Sequence, residues 1–223
     1  MPTLDEAPRL PRLLRDLSAL TVPHEIIVAD GGSTDDTSVV AAAHGARVVQ
    51  VAPGRGRQLA AGVGAATGDW LLVVHADARL TPEALQAGEA ALRRADVQAA
   101  AWPLVIDGEG RWLRWVERGA ALRWSLTGLA YGDQGLLVRR SLYDAVGGYP
   151  DTRIMEDVVL IRRIVRVARV ERLPAPILAD ARRWRREGQV RGTLRNVALL
   201  TLFLAGIAPD RLARWYLPEP GER

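Results

Sequence analysis

The chain has 223 residues, of which 48% are hydrophobic and 25% are charged, a composition typical of a folded globular protein. It contains neither cysteine nor lysine, and its formal net charge of +4 comes from 30 arginines against 26 acidic residues. Disulfides, thiolate metal sites, lysine Schiff bases and lysine-containing phosphate loops are therefore excluded.

The first half of the chain alternates helix-like and strand-like segments. In chain order, the patterns predict a helix at 10–20, a strand at 25–29, a helix at 37–44, a strand at 47–51, a helix at 58–66, a strand at 70–74 and a helix beginning at Thr81. This alternation predicts an α/β fold with a parallel sheet and helices on both of its faces. Ligands bind such sheets where the strands end, and Asp30 and Asp77 both follow predicted strands.

The second half is less regular. Its predicted segments are a strand at 99–106, an amphipathic helix at 111–126, a strand at 135–139, a helix at 158–167 and a strand at 176–179. An apolar run at 197–208 is too short to cross a bilayer of about 30 Å. We interpret it as a core helix, with docking at a membrane surface as the alternative. No repeat or linker divides the chain, so a single domain is predicted.

Carboxylates at the strand ends are the first candidates for chemistry. Asp30 precedes two glycines, where a carboxylate can accept hydrogen bonds from a nucleotide base or ribose. The next polar residues, 33–35, are explained at least as well as caps of the following helix.

Asp77 is the best candidate ligand for Mg²⁺ or Mn²⁺, which bind carboxylate oxygens and leave positions open for a diphosphate. His75 projects to the same side if the strand continues that far, although a hydrogen-bonded histidine at a strand end is an equally good explanation.

Two further motifs combine charge with a defined position. Glu156 and Asp157 begin a predicted helix, where the helix dipole favours acidic residues and where a general base would also be well placed. Arg183 and Trp184 follow the strand at 176–179, and the pair suits a diphosphate and a sugar or base. A surface cation–π pair is the structural alternative for these two residues.

Taken in order, seven motifs resemble family 2 glycosyltransferases with the GT-A fold, and the resemblance covers nearly the whole chain. It is closest to a bacterial subgroup with His-Ala-Asp, Gly-Asp-Gln and Met-Glu-Asp motifs, some members of which are linked to arsenosugar biosynthesis. The motifs are residues 2–7, 28–37, 54–58, 75–77, 132–134, 155–157 and 182–184.

The resemblance implies a Rossmann-like, mostly parallel sheet flanked by helices. It also implies a metal-dependent enzyme that moves a sugar, with inversion, from a nucleoside-diphosphate donor to a hydroxyl acceptor. UDP is the commonest nucleotide in the family, and Mn²⁺ or Mg²⁺ is the expected metal. The implied metal ligands are Asp77 and His75, and the implied catalytic base is Asp157, with Glu156 beside it. The implied donor contacts are Pro2, Thr3, Asp5, Glu6, Asp30, Gly31, Asp35, Arg57, Arg183 and Trp184.

The same resemblance divides the single domain 1–223 into a nucleotide-binding half (1–98), an acceptor and catalytic half (99–190) and C-terminal helices (191–223). In the family, the Pro-Thr element closes the first strand, which lies in the middle of the sheet, but here that element begins at Pro2. We therefore expect the N-terminal first strand to be missing, as a late start of the chain would explain. A short Val/Ile-rich run encoded just upstream would support this expectation.

Other functions stay open on the sequence alone. A nucleotidyltransferase usually uses a lysine-containing phosphate loop, which this chain lacks. A nucleic-acid-binding module would use the arginines and tryptophans but would not need Asp30, Asp77 and Asp157 at element ends. A relative that binds nucleotide without catalysis is the third alternative.

Because no secretory signal is visible, the expected location is the cytoplasm, with peripheral contact at the inner membrane face as an alternative. No nucleic-acid partner is expected.

Overall fold

The computed structural model of the chain describes residues 1–182, 184 and 188–216. The strands are β1 (Pro2–Thr3), β2 (Ile27–Asp30), β3 (Arg47–Gln50), β4 (Trp70–Val73), β5 (Ala78–Leu80), β6 (Ala99–Ala101), β7 (Leu104–Asp107), β8 (Leu136–Arg139), β9 (Val170–Arg172) and β10 (Ile177–Asp180). The helices are α1 (Leu10–Leu17), α2 (Thr37–Ala43), α3 (Arg55–Ala65), α4 (Pro82–Leu92), α5 (Arg111–Thr127), α6 (Arg140–Ala145), α7 (Glu156–Ile164), α8 (Gln189–Leu204) and α9 (Pro209–Tyr216). A short 3₁₀ turn covers Gly132–Gln134.

The strands form three small sheets with helices packed around them, which confirms the predicted α/β class. In the sheet β1-β2-β3, neighbouring strands are all parallel. The sheets β4-β8-β6-β9 and β5-β10-β7 contain both parallel and antiparallel pairs. Parallel register places Asp30 beside Thr3 on one side and Gln50 on the other. The polar residues that end these strands therefore meet at one edge of the first sheet.

Local sequence explains most of the element boundaries. The four leucines of α1 are buried on one face, and the helix packs against β5 and α2. Thr81 caps α4, because its side-chain oxygen accepts a hydrogen bond from the Ala84 amide at 3.2 Å and proline follows at the first helical position. Gly45 has a φ of 77°, the left-handed conformation with which glycine commonly ends a helix, here α2.

The strand predicted at 99–106 is interrupted in the structure. It divides into β6 and β7, which belong to different sheets. The break falls at Trp102 and Pro103, where proline has no amide hydrogen to donate to a ladder. Trp102 is buried, and its ring nitrogen donates to the Ala84 carbonyl at 2.9 Å, so its side chain anchors α4 to the break.

The first strand, β1, is two residues long and pairs in parallel with β2. Met1 extends this ladder, since its amino group donates to the Ile27 carbonyl at 2.8 Å and its carbonyl accepts from the Ala29 amide at 2.8 Å. Beyond Met1, an apolar cavity of about 330 Å³ lies between β2 and β4. Within the described part of the chain, β4 pairs only with β8.

The apolar run at 197–208 lies mostly within α8 and only partly fits the core-helix interpretation. Leu199 is buried, but Val197 and Leu204 are 54% and 48% exposed. In the residues that the structure describes, we find no helix with the length and apolar character needed to cross a membrane.

Candidate active site

The loop after β2 is held by the carboxylate of Asp30, which is 1% exposed. Asp30 accepts hydrogen bonds from the Thr3 hydroxyl (3.1 Å), the Ser33 amide (3.1 Å) and the Ser38 hydroxyl (3.2 Å). Burial alone would raise the pKa of Asp30, but the hydrogen bonds from Ser33 and Thr3 outweigh it and the pKa is lowered. Asp30 is therefore ionised, and its oxygens organise the loop from within.

Asp5 and Asp35 join the loop after β1 to the loop after β2. The Asp5 carboxylate accepts from the Thr34 amide at 2.8 Å, and Asp5 adopts a left-handed φ of 53°. The Asp35 carboxylate accepts from the Ala7 amide at 3.1 Å and from the Thr37 amide at 3.0 Å. The capping interpretation thus holds for Asp35. Through these hydrogen bonds, Asp5 and Asp35 join the loops after β1 and β2 at the edge of the sheet, and we call the two joined loops the polar unit.

Gln58 is a structural residue of this edge that sequence reasoning missed. It is buried on α3, and its amide nitrogen donates to the carbonyls of Thr3 (2.6 Å) and Ala29 (3.1 Å). A Cβ at Gly31 would lie 2.9 Å from the Gln58 amide, so glycine is required there by packing within the protein. Pro2 is half-buried in β1 and contributes backbone to the same strand pair.

A second cluster brings together three of the predicted site residues around Arg55. The Arg55 guanidinium lies 2.7 Å from Glu156 Oε1, 3.0 Å from His75 Nε2 and 3.6 Å from Asp157 Oδ2. The Gly132 amide donates to Asp157 Oδ2 at 2.8 Å. A Cβ on Gly132 would lie within 3.0 Å of Arg55, His75 and Asp157, so a side chain there would displace the ends of these three side chains.

The two acidic residues at the start of α7 occupy different environments. The Glu156 side chain is 3% exposed, and burial raises its pKa against the opposing effect of Arg55. Asp157 is 21% exposed and accepts hydrogen bonds from the Gly132 and Val158 amides, both at 2.8 Å. Glu156 therefore anchors Arg55, whereas Asp157 is an oriented carboxylate that a ligand can reach.

One wall of this cluster is formed by aromatic and arginine side chains that the sequence motifs did not single out. The Arg123 guanidinium lies 3.7 Å from the centre of the Tyr131 ring and donates to the Gln134 side chain at 2.8 Å. The Tyr131 hydroxyl is buried and has no hydrogen-bond partner among the described residues. Burial raises the pKa of Tyr131 to about 12, so this hydroxyl is a neutral donor at the edge of the cluster.

His75 and Asp77 follow β4 and alternate with the buried residues Val74 and Ala76. The strand does not continue to these residues as expected: β4 ends at Val73, and the Ala78 amide donates to the His75 carbonyl at 3.0 Å, so both half-buried residues lie in a turn. No group of three His, Asp or Glu side chains in the described chain could hold a metal ion by itself. One carboxylate and one imidazole do fit a divalent ion whose other positions are filled by phosphate oxygens and water.

The expected role of Arg57 in donor binding is not supported by its position. Arg57 is 53% exposed and pairs with Asp151 at the surface, at 2.8 Å. Arg55, two residues earlier, enters the cluster instead, because side chains two residues apart on a helix point about 200° apart.

The C-terminal motif is only partly described. Arg183 lies outside the described residues, and Trp184 packs against the apolar cluster that includes Ile106 and Leu113. Arg182, the first residue of the motif 182–184, donates to Glu6 at 2.9 Å. This contact ties the C-terminal motif to the loop after β1, so Glu6 is engaged within the protein.

Comparisons with known proteins agree with this geometry. The sequence profile of "Glycosyl transferase family 2" matches residues 1–155. An uncharacterized glycosyltransferase of Mycobacterium tuberculosis is 44% identical over 78 residues, which are 34% of this chain and 34% of that protein. The chain therefore matches about a third of the length of such curated relatives.

Two groups of solved structures share the fold. Glucosyl-3-phosphoglycerate synthase from Mycobacterium tuberculosis, in complex with Mn²⁺, UDP and glucosyl-3-phosphoglycerate, has a TM-score of 0.55 at 24% identity, over 80% of this chain and 68% of that one. A mannosyltransferase from Pyrobaculum calidifontis, in complex with GDP-Man and Mn²⁺, has a TM-score of 0.59 at 19% identity, over 80% of this chain and 54% of that one. The expected GT-A fold is confirmed by these matches.

Proposed function

The chain belongs to glycosyltransferase family 2, and from that premise we propose that it transfers a sugar from a nucleoside-diphosphate donor to an acceptor hydroxyl, with inversion. The observation that carries the proposal is the position of Asp157. Its carboxylate is partly exposed, is oriented by two backbone amides and lies beside Arg55. A carboxylate fixed in this way is suited to accept a proton from a hydroxyl group.

In this proposal the acceptor hydroxyl donates its proton to Asp157 while its oxygen attacks the anomeric carbon and the nucleoside diphosphate leaves from the opposite face. The hydrogen bonds from Gly132 and Val158 hold the base in one orientation, so less ordering is required at the transition state. The guanidinium of Arg55 lies 3.6 Å from Asp157 Oδ2 and helps to hold the carboxylate in place.

Asp77 and His75 would hold a divalent cation, Mn²⁺ or Mg²⁺, together with the diphosphate of the donor. When bound, the cation supplies positive charge that stabilises the leaving diphosphate. His75 Nε2 lies 3.0 Å from Arg55, so the proposed metal ligand and the proposed base are joined through one arginine. Solved relatives of the same fold hold Mn²⁺ with UDP or GDP-Man, which supports this class of donor.

We propose residues 1–98 as the nucleotide-binding half, 99–190 as the acceptor and catalytic half and 191–223 as C-terminal helices. The polar unit formed by the loops after β1 and β2 supports the first assignment, because its carboxylates stand at the C-terminal edge of a parallel sheet. Within this unit, Pro2, Thr3, Asp5, Glu6, Asp30, Gly31 and Asp35 would act mainly by fixing the shape of the donor pocket.

The decisive experiment measures nucleoside-diphosphate release from a panel of UDP- and GDP-sugars with Mn²⁺ present. We expect Asp157→Asn to lower turnover by about 10²- to 10⁴-fold, the usual contribution of a general base, with donor binding retained. Asp151→Asn is the matched control, because Asp151 is a surface carboxylate outside the cluster. Full activity of Asp157→Asn would reject the base assignment. A wild-type chain that binds nucleotide but releases none from any acceptor mixture would favour the non-catalytic alternative.

A further inference from the structure

Helix α8 carries an apolar stripe on its exposed face. Large apolar side chains recur along it at intervals of three, four or seven residues, which places them on one side of the helix. Each is about half exposed: Val190 (49%), Leu194 (60%), Val197 (54%) and Leu204 (48%). The opposite face is already packed, since Leu199 is buried against Leu212 of α9. The side chains of the stripe therefore do not take part in packing α8 against the rest of the protein.

The two helices that contact α8 also carry exposed apolar side chains. Helix α5 packs against α8, where the Trp112 ring nitrogen donates to the Thr193 hydroxyl at 3.2 Å, and α9 packs against it as well. Of the eleven large apolar side chains that are exposed in the described chain, eight lie on these three helices. We call these eight residues the apolar surface: Trp115, Leu122, Leu126, Val190, Leu194, Val197, Leu204 and Trp215.

The charge around the apolar surface is mainly positive. Helices α5, α8 and α9 together contain eight arginines and two acidic residues, Glu117 and Asp210. Two of these arginines, Arg114 and Arg123, are engaged within the protein. Glu117 is turned inward, because its carboxylate accepts from the Ile106 amide at 2.6 Å and pairs with Arg114 at 3.0 Å. Helix α8 itself has no acidic residue between Gln189 and Leu204. The partner of this surface should therefore be anionic as well as apolar.

We infer that the apolar surface docks on an anionic phospholipid bilayer, with α8 lying in the plane of the headgroups. A helix with an exposed apolar stripe, flanking arginines and tryptophan at its margins has the chemistry of an interfacial helix. The stripe from Val190 to Leu204 is about 21 Å long at 1.5 Å per residue. Helices that lie in the interface plane bury their apolar face about 5–10 Å deep. A second copy of this chain fits less well, because two arginine-rich surfaces would repel each other.

This inference does not depend on the proposed transfer reaction, since none of the eight residues belongs to the Arg55 cluster.

Membrane docking is tested by co-sedimentation with vesicles of equal parts phosphatidylglycerol and phosphatidylcholine, compared with vesicles of phosphatidylcholine alone. We expect binding to the anionic vesicles that weakens at high salt, where the Debye length falls to about 3 Å at 1 M. The substitution Leu194→Glu should lower the bound fraction at least tenfold, because it places a carboxylate in the middle of the stripe.

Val39→Glu is the matched control, because Val39 is 68% exposed on α2 and lies outside the apolar surface. It should bind vesicles like the wild type, and the thermal unfolding of both variants should match the wild type because both sites are exposed. Equal binding by Leu194→Glu and Val39→Glu, or no binding by the wild type, would overturn the inference. So would a dimer, measured by sedimentation velocity without vesicles, that dissociates in Leu194→Glu, because a second copy would then cover the surface.

Discussion

Replacement of Arg55 by methionine should destabilise the protein by leaving the buried carboxylate of Glu156 without its partner. The two charged groups lie 2.7 Å apart, and the Glu156 side chain is only 3% exposed. Removal of one partner of a buried ion pair costs about 3–5 kcal/mol, because the other charge stays buried and uncompensated. Since the Arg55 side chain is itself 38% exposed and solvent screens it, we expect a loss near the lower end, about 3 kcal/mol.

The loss should depend on pH in a defined direction. Burial raises the pKa of Glu156 in the folded protein, and removal of Arg55 raises it further because Arg55 opposes that effect. The folded variant then binds a proton more tightly than the unfolded chain does, so its stability is greatest below the ordinary carboxyl pKa. Stability falls as pH rises from that value through the raised folded pKa. The deficit of Arg55→Met relative to the wild type should therefore be small at about pH 4 and full at about pH 7.

Urea unfolding followed by circular dichroism, at both pH values, measures this deficit. The double variant Arg55→Met with Glu156→Gln removes the uncompensated carboxylate, so it should recover most of the stability lost in the single variant. Additive effects in this double-mutant cycle, or a deficit that does not change with pH, would refute the proposed pairing.

Three further predictions concern single positions. Gly132→Ala should lower turnover at least tenfold in the donor-release assay, since its Cβ would lie within 3.0 Å of Arg55 and Asp157; unchanged turnover would contradict the crowding at this position. Burial lowers the pKa of the Met1 amino group to about 5, so the free chain loses stability as pH falls from about 8 to about 5. Acetylation of Met1 should therefore raise stability by about 1 kcal/mol at pH 7 and have no electrostatic effect above about pH 8, as urea unfolding at both values would show. Arg57→Ala should change turnover and stability little, because Arg57 only forms a surface ion pair, and a large loss of donor binding would restore its predicted role.

The parts of the fold that could be predicted from the sequence are those set by neighbouring residues. Leucines at helical spacing predict α1, and all four within the helix are buried. Thr81 followed by proline predicts the start of α4, and the cap hydrogen bond is present. Local patterns succeed here because capping, turn conformation and helical spacing depend on residues a few positions apart. The order of motifs likewise predicted the family and the GT-A fold.

The assignments that failed or were missed depend on contacts between distant segments. The strand at 99–106 is apolar enough to be continuous, but it breaks at Pro103, and the two parts join different sheets beside Trp102, which is anchored on α4. Gln58 is unremarkable in sequence, and its role follows from carbonyl groups of two strands that begin the chain. Packing also determined that Arg55 and not Arg57 points into the cluster with Glu156, because packing sets which face of a helix is turned inward.

By itself, then, the sequence predicted which ionisable residues stand at the ends of elements: Asp30, His75, Asp77, Glu156 and Asp157. Only the tertiary structure showed which of those carboxylates are buried and structural and which one is accessible to a ligand. Asp30 and Glu156 are buried and hold other groups in place, whereas Asp157 stays accessible. The physical reason is that burial and partners, which set the charge and reach of a carboxylate, arise only when segments far apart in the chain come together.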